Sequence, residues 1–420
     1  MPVRRLPVHP DLDQLHRQAK ELLRAIHAGD PIAVAELREH HPDPVDPSTA
    51  KLADAQLVLA RSYQATSWPR LVQGVNLARA ICDDSIDTVR SLITANPHLL
   101  HEPVLIRTDS NWGPPLTYAA NLGRDEIIRM LHQMGATDLL SAAGRAALQG
   151  KTGTLQMIYE MAGRPPLDVR ALTGPAYTLN DAGTAALFAL GVRIPPEGLD
   201  INTMEHLLGS DSRKPDAKHR ILAMYVEHGL ELPDTPVMAL HRGRIDLLES
   251  HLARDPDLLT RTFDVADVFP MTRLREPYTA QGTPVAGTTL LHIAAYFDEL
   301  EIATWLLDHG MPVDARAAVD ADGFGGYTAL FSTVVSQHNF WVNYGKGRPD
   351  DAAFTRLLLA RGADPNIRAS IRARLEEGHG GGPLREYRDV TPLGWGEQFA
   401  AQIFVSRESM RLVEERGGGR

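Results

Sequence analysis

The sequence predicts an all-α solenoid of stacked helical hairpins, with inserted loops and a helical cap at its N-terminal end. Three observations carry that prediction. One phrase recurs along the chain, a second phrase closes several of its copies, and the apolar residues around them keep helical spacing. The first phrase is a small or apolar residue, then Gly or Asp four positions later, then apolar residues five and eight positions beyond that. It runs through Ala25, Gly29, Val34, Leu37; Ala80, Asp84, Val89, Leu92; Ala119, Gly123, Ile128, Leu131; and Ala146, Gly150, Leu155, Ile158. Weaker copies stand at Leu179, Gly183, Phe188; Ala239, Gly243, Leu248; and Ala294, Asp298, Ala303, Leu306. The closing phrase is His41, Pro42, Asp43, then Asn96 to Leu100, then Asp255 to Leu259.

Each unit reads as a short helix ending near the Gly or Asp, a tight turn, and a second amphipathic helix. Two short helices cannot bury both apolar faces alone, so such units are stable only when stacked on neighbours. Small pairs such as Ala119 with Ala120 and Ala294 with Ala295 let adjacent first helices approach closely.

The elements follow in chain order. Leu12, Leu15, Ala19, Leu22, Leu23 and Ile26 lie on one helical stripe, with Asp11 placed to cap it. A second helix starts at Asp30 with Pro31 in its first turn, where a missing N–H costs least. A third is expected from Ser48 to Tyr63, and a fourth near Ser67, Trp68 and Pro69. Residues 1–76 are read as a cap over the open end of the stack, 77–416 as a degenerate array, and 417–420 as a flexible tail.

Within the array, Thr289, Leu290, Leu291, His292, Ile293, Ala294, Ala295 differs from the Thr-Pro-Leu-His-x-Ala-Ala signature only at Leu290. It continues through Leu306, Leu307 and Gly310. Pro115 to Ala120 leads on to Gly123, Leu131, Gly135 and Ala136; Leu357 to Asn366 resembles a repeat ending, and Thr391, Pro392, Leu393 a repeat opening. On these residues the chain resembles the ankyrin-repeat family over 77–416, with register uncertain between Leu139 and Pro236. The N-terminal segment resembles the leader ahead of ankyrin repeats in some bacterial proteins. The resemblance implies a curved stack of antiparallel helix pairs, a concave face bearing projecting loops, a structural role for His292, and recognition of a protein partner.

The family period is about 33 residues, yet Thr289, Thr328 and Thr391 stand farther apart, so loops are inserted near 262–287, 335–351 and 368–389. Aromatic side chains in a polar loop suggest a binding edge, because Trp and Tyr offer large contact area at little entropic cost; folding back to cap the core is the other reading. The candidate contact residues are Trp112, Arg316, Phe324, Tyr327, Phe340, Trp341 and Tyr344.

The sequence also argues against other chemistry. Gly144 to Thr152 resembles a phosphate-binding loop but places five residues between its glycines where four are needed. Gly378 to Gly382 resembles an esterase oxyanion loop, yet no Gly-x-Ser-x-Gly supplies a nucleophile. Seventeen histidines offer no His-Glu-x-x-His, and one cysteine, Cys82, rules out cysteine-rich zinc sites. No cofactor and no metal are expected. A net charge of -10 argues against nucleic acid. No run approaches the roughly 20 apolar residues of a membrane-spanning helix, no secretory signal stands near the N-terminus, and a cytoplasmic location is expected. The rival reading is an enzyme, or a regulatory part of one, using an inserted loop as a lid; a third is a spacer without a partner.

Overall fold

The computed structural model describes residues 4–107, 110–210, 212–276, 282–335, 352–374, 383–400 and 402–420. The chain divides into two compact units, Met1–Pro166 and Leu167–Arg420. Both are built from paired helices. In the first unit the pairs are Leu12–His27 with Pro31–His40, Trp68–Cys82 with Ile86–Ala95, Pro115–Leu122 with Asp125–Gln133, and Leu139–Leu148 with Thr152–Met161, while Leu52–Ser62 packs on the first pair. In the second they are Thr173–Thr178 with Asp181–Ala189, Ile201–Leu208 with Pro215–Glu227, Pro236–His241 with Ile245–Arg254, Leu290–Phe297 with Leu300–Asp308, Ala329–Val334 with Ala353–Ala360, and Pro392–Gln398 with Arg407–Glu415.

The helix starts follow from their caps. The Asp11 carboxylate accepts from the backbone N–H of Asp13, Asp30 accepts from those of Ile32 and Ala33, and the Ser67 hydroxyl accepts from that of Arg70. Each satisfies donors that have no intrahelical acceptor. The recurring Gly or Asp performs one physical job. Gly29, Asp84, Gly123, Gly150, Gly243 and Asp298 all turn the chain with φ between 57° and 72°, a left-handed region open to Gly and tolerated by Asp.

One weak copy is misregistered. Between Thr173–Thr178 and Asp181–Ala189 the turn falls on Leu179, with φ of 48°, and Gly183 lies inside the second helix, where its N–H donates to the capping Asn180 side chain. Leu179 holds this unfavourable backbone because its side chain is buried in the core. Of the three closing phrases, Pro97–Leu100 and Pro256–Leu259 form single 3-10 turns, whereas His41 to Asp43 is a bend.

Three further expectations change. The cap boundary at residue 76 falls within the Trp68–Cys82 helix. The tail is held rather than flexible: Gly419 N–H donates to Asn366 Oδ1 at 2.7 Å, the Thr391 hydroxyl to the Gly419 carbonyl at 2.6 Å, and Asn366 Nδ2 to the Gly417 carbonyl at 3.1 Å. Within the 368–389 insertion the chain forms strands β1 (Ala369–Arg374) and β2 (Leu384–Val390), an antiparallel hairpin pairing Ile371 with Tyr387 and Arg372 with Glu386. Ala369, Ile371 and Ala373 are buried on one face, and Tyr387 packs on Trp395 and Phe399 at 4.7 and 6.1 Å between ring centroids. The run Gly378 to Gly382 lies outside the described residues.

The 262–287 insertion also folds back. Phe263 and Thr288 exchange backbone hydrogen bonds of 2.8 and 3.2 Å, and Val265, Val268, Phe269 and Val285 are buried. Among the described residues no helix is long and apolar enough to cross a membrane.

Candidate partner-binding surface

The segments that precede helix pairs are shaped by their own hydrogen bonds. Before Pro115–Leu122, the Val104 N–H donates to the Gly113 carbonyl at 3.0 Å, and Val104 and Leu105 are buried beneath the loop. Trp112 is half-buried there, its ring 5.3 Å from that of Tyr118 and 5.6 Å from the guanidinium carbon of Arg145. Tyr118 is fully buried and donates to the Val8 carbonyl, and burial pushes its phenol far above the usual range. Trp112 thus rests on a fixed floor with part of its ring open.

The loop before Ala329–Val334 is built around Gly325 and Gly326. The Gly325 N–H donates to the Ser370 carbonyl of β1 at 2.7 Å, and the Gly326 N–H to the Ala317 carbonyl at 3.1 Å. Gly325 sits at φ of 127°, and a Cβ there would overlap the Ala318 carbonyl, so only glycine fits. Arg316, exposed on this loop, donates from Nε to the Gly326 carbonyl at 2.7 Å and from Nη2 to the Arg368 carbonyl at 2.6 Å.

Phe324 and Tyr327, expected as contact residues, are packing residues instead. Phe324 is 4% exposed, its ring lying between the guanidinium carbons of Arg372 at 3.8 Å and Arg388 at 4.2 Å from its centroid. Tyr327 is 2% exposed and donates to the Pro284 carbonyl at 2.7 Å. Their position in a loop suggested exposure; the hairpin and the 262–287 insertion cover them. Phe340, Trp341 and Tyr344 lie outside the described residues.

Arg372 and Arg388 fall in the inserted 368–389 stretch and carry no sequence signal of this role. Arg372 also pairs with Asp322 at 2.9 Å, Glu386 at 3.3 Å and Asp320 at 3.5 Å. Together with the Phe324 contacts, the Asp320 and Asp322 pairs fasten the hairpin to the 316–327 loop.

His292 ties one helix pair to the next. Its Nε2–H donates to the Tyr327 carbonyl at 2.9 Å, which leaves Nδ1 to accept from the Thr289 hydroxyl at 2.9 Å. Burial lowers its pKa to about 4 against the opposing pull of the Tyr327 carbonyl, so the ring is neutral at physiological pH. The signature Thr and His therefore serve as a latch between successive helix pairs.

Residues 286–318 match the family model of the ankyrin repeat. That repeat contains the Thr289–His292 latch and both helices of the Leu290–Phe297 and Leu300–Asp308 pair. Among solved structures, the chain is similar to the human ASB11 ankyrin repeat domain, at 15% identity over 73% of this chain and 99% of that one, with a TM-score of 0.26. It is also similar to the ankyrin repeat domain of Bcl-3, a member of the IkappaB protein family, at 16% identity over 81% and 97%, with a TM-score of 0.21. No curated protein sequence matches the chain. Ankyrin repeats are in general modules of protein interaction. Among the described residues, no group of three or more His, Cys, Asp or Glu side chains is placed to hold a metal ion.

Proposed function

We propose that the chain is a cytoplasmic scaffold that holds a protein partner on its concave, loop-bearing face. The observation that carries this reading is that the loops preceding helix pairs are fixed before any partner arrives, yet leave Trp112 and Arg316 accessible. Binding residues on loops held by a rigid scaffold lose little conformational freedom on association. Trp112 in the one unit offers apolar area and Arg316 in the other a guanidinium, and Phe340, Trp341 and Tyr344 remain proposed contact residues. Phe324 and Tyr327 support that surface from below.

The test is site-specific photo-crosslinking in the native cell. A photo-reactive residue at position 316, 341 or 344 is expected to trap one shared protein, and the same probe at Glu249, exposed on the Ile245–Arg254 helix, is not. Alanine at Trp341 and Tyr344 is expected to weaken that capture with thermal unfolding unchanged. A comparable loss of fold stability would make these residues a cap instead, and equal trapping at position 249 would refute the loop-bearing face as the binding surface.

A further inference from the structure

A buried charged cluster lies inside the Leu167–Arg420 unit. Glu299, 3% exposed, caps the Leu300–Asp308 helix, and its carboxylate lies 2.8 Å from Lys218 Nζ and 2.9 Å from His219 Nε2. Lys218 is 2% exposed, and its ammonium sits 4.4 Å from the centroid of Phe297. His219 reaches Glu299 by lying across the Gly243 turn, where a Cβ would overlap its ring. His241 stacks edge-on against Phe297 at 4.7 Å and donates from Nε2 to the Val268 carbonyl at 2.8 Å. Arg213 stands over the Tyr296 ring at 4.5 Å. One carboxylate therefore joins directly two helix pairs between which Pro236–His241 with Ile245–Arg254 intervenes in chain order.

We propose that Glu299 is the clasp of a charge-dependent joint, which holds three successive helix pairs closed while its carboxylate is ionised and opens when that charge is lost. The contrast with exposed ion pairs is physical. An exposed pair can lose one member to water at little cost, whereas removing the charge of Glu299 strands the Lys218 ammonium in a site closed to solvent. The opening is local, because the other helix pairs of the unit do not draw on this cluster.

The sign of the pH response follows from the surroundings of Glu299. The ionisable groups around it are Lys218 and His219 from the Pro215–Glu227 helix and His241 from the neighbouring pair; Arg213, just before that helix, acts on Lys218, and Asp298 precedes Glu299 in the chain. Burial alone would raise the carboxyl, but the Lys218 charge and the His219 hydrogen bond outweigh it and hold it below its ordinary value of 4.5. A depressed carboxyl stabilises the joint above its unfolded value, and that contribution is lost as pH falls through the folded value.

The experiment is hydrogen–deuterium exchange on the full chain at neutral pH, comparing native protein with Glu299→Gln and with the double variant Lys218→Met/Glu299→Leu. Glu299→Gln is expected to speed exchange about tenfold or more in Pro215–Glu227, Pro236–His241 and Leu290–Phe297. Pro115–Leu122 and Arg407–Glu415 are expected to keep native rates. The double variant, with neither charge to strand, is expected to return the three helices to native protection. The proposal is overturned if Glu299→Gln leaves those helices protected, if exchange accelerates equally across the chain, or if the double variant stays open.

Discussion

Replacing His292 with leucine tests the latch at two points. The substitution keeps an apolar side chain in a buried site but removes the donor to the Tyr327 carbonyl and the acceptor for the Thr289 hydroxyl. A buried carbonyl left without a donor costs about 1–3 kcal/mol, and the lost hydrogen bonds bring the expected destabilisation at pH 7.5 to about 2–4 kcal/mol. The second point is proton linkage. The folded protein keeps His292 neutral down to about pH 4, whereas the unfolded chain protonates it near 6.5, so the unfolded state binds the extra proton between those values. Stability is fully present above the unfolded value and falls as pH drops through that window, by about 2 kcal/mol between pH 7.5 and 5 for this residue. The leucine variant lacks that loss, so the gap between the two proteins narrows by about 2 kcal/mol at pH 5. His241, whose pKa burial and the nearby Lys218 charge lower to about 3, is present in both proteins and cancels in the difference. Urea unfolding followed by far-ultraviolet circular dichroism at the two pH values measures the gap. The latch is refuted if the variant is as stable as the native protein at pH 7.5, and the neutral buried imidazole is refuted if the gap does not change with pH.

Two further substitutions probe the local rules. Asp30→Ala removes the acceptor for two backbone N–H groups, each at 2.9 Å, and is expected to cost about 1 kcal/mol in chemical denaturation, with Asp30→Ser recovering most of it. Gly325→Ala forces a side chain against the Ala318 carbonyl at a backbone angle hostile to alanine, and is expected to release the hairpin: limited proteolysis should accelerate within Ala369–Arg374 and Leu384–Val390 while the Pro115–Leu122 helix keeps its far-ultraviolet and exchange signature.

Helix starts and turns were readable in the sequence because they are decided within a few residues. Asp11 caps as expected, helices start at Asp30 and Ser67 as expected, and the Gly or Asp of the recurring phrase marks a left-handed turn in six copies. Leu179 escaped because the rule it breaks is local and the force that overrides it is burial, which depends on the neighbouring pairs. The hairpin left a usable signal, since Ala369, Ile371 and Ala373 alternate with Ser370, Arg372 and Arg374, but the nearby glycines suggested a loop. Phe324 and Tyr327 are buried for a related reason: whether a loop aromatic faces water depends on what folds over it, and the covering segments come from more than forty residues away. The Glu299 cluster left no pattern, because its members stand 80 residues apart.

The 262–287 insertion has become a shim. Its Val268 carbonyl receives the His241 imidazole on one side, Phe269 meets the Phe297 ring at 6.1 Å on the other, and Thr283 shares a 2.6 Å hydrogen bond with Ser332 farther along. Excising it would not yield a more regular protein. It would leave an empty slot beside Phe297 and strip Tyr327 of the Pro284 carbonyl, so this length is a spacer whose thickness its neighbours require.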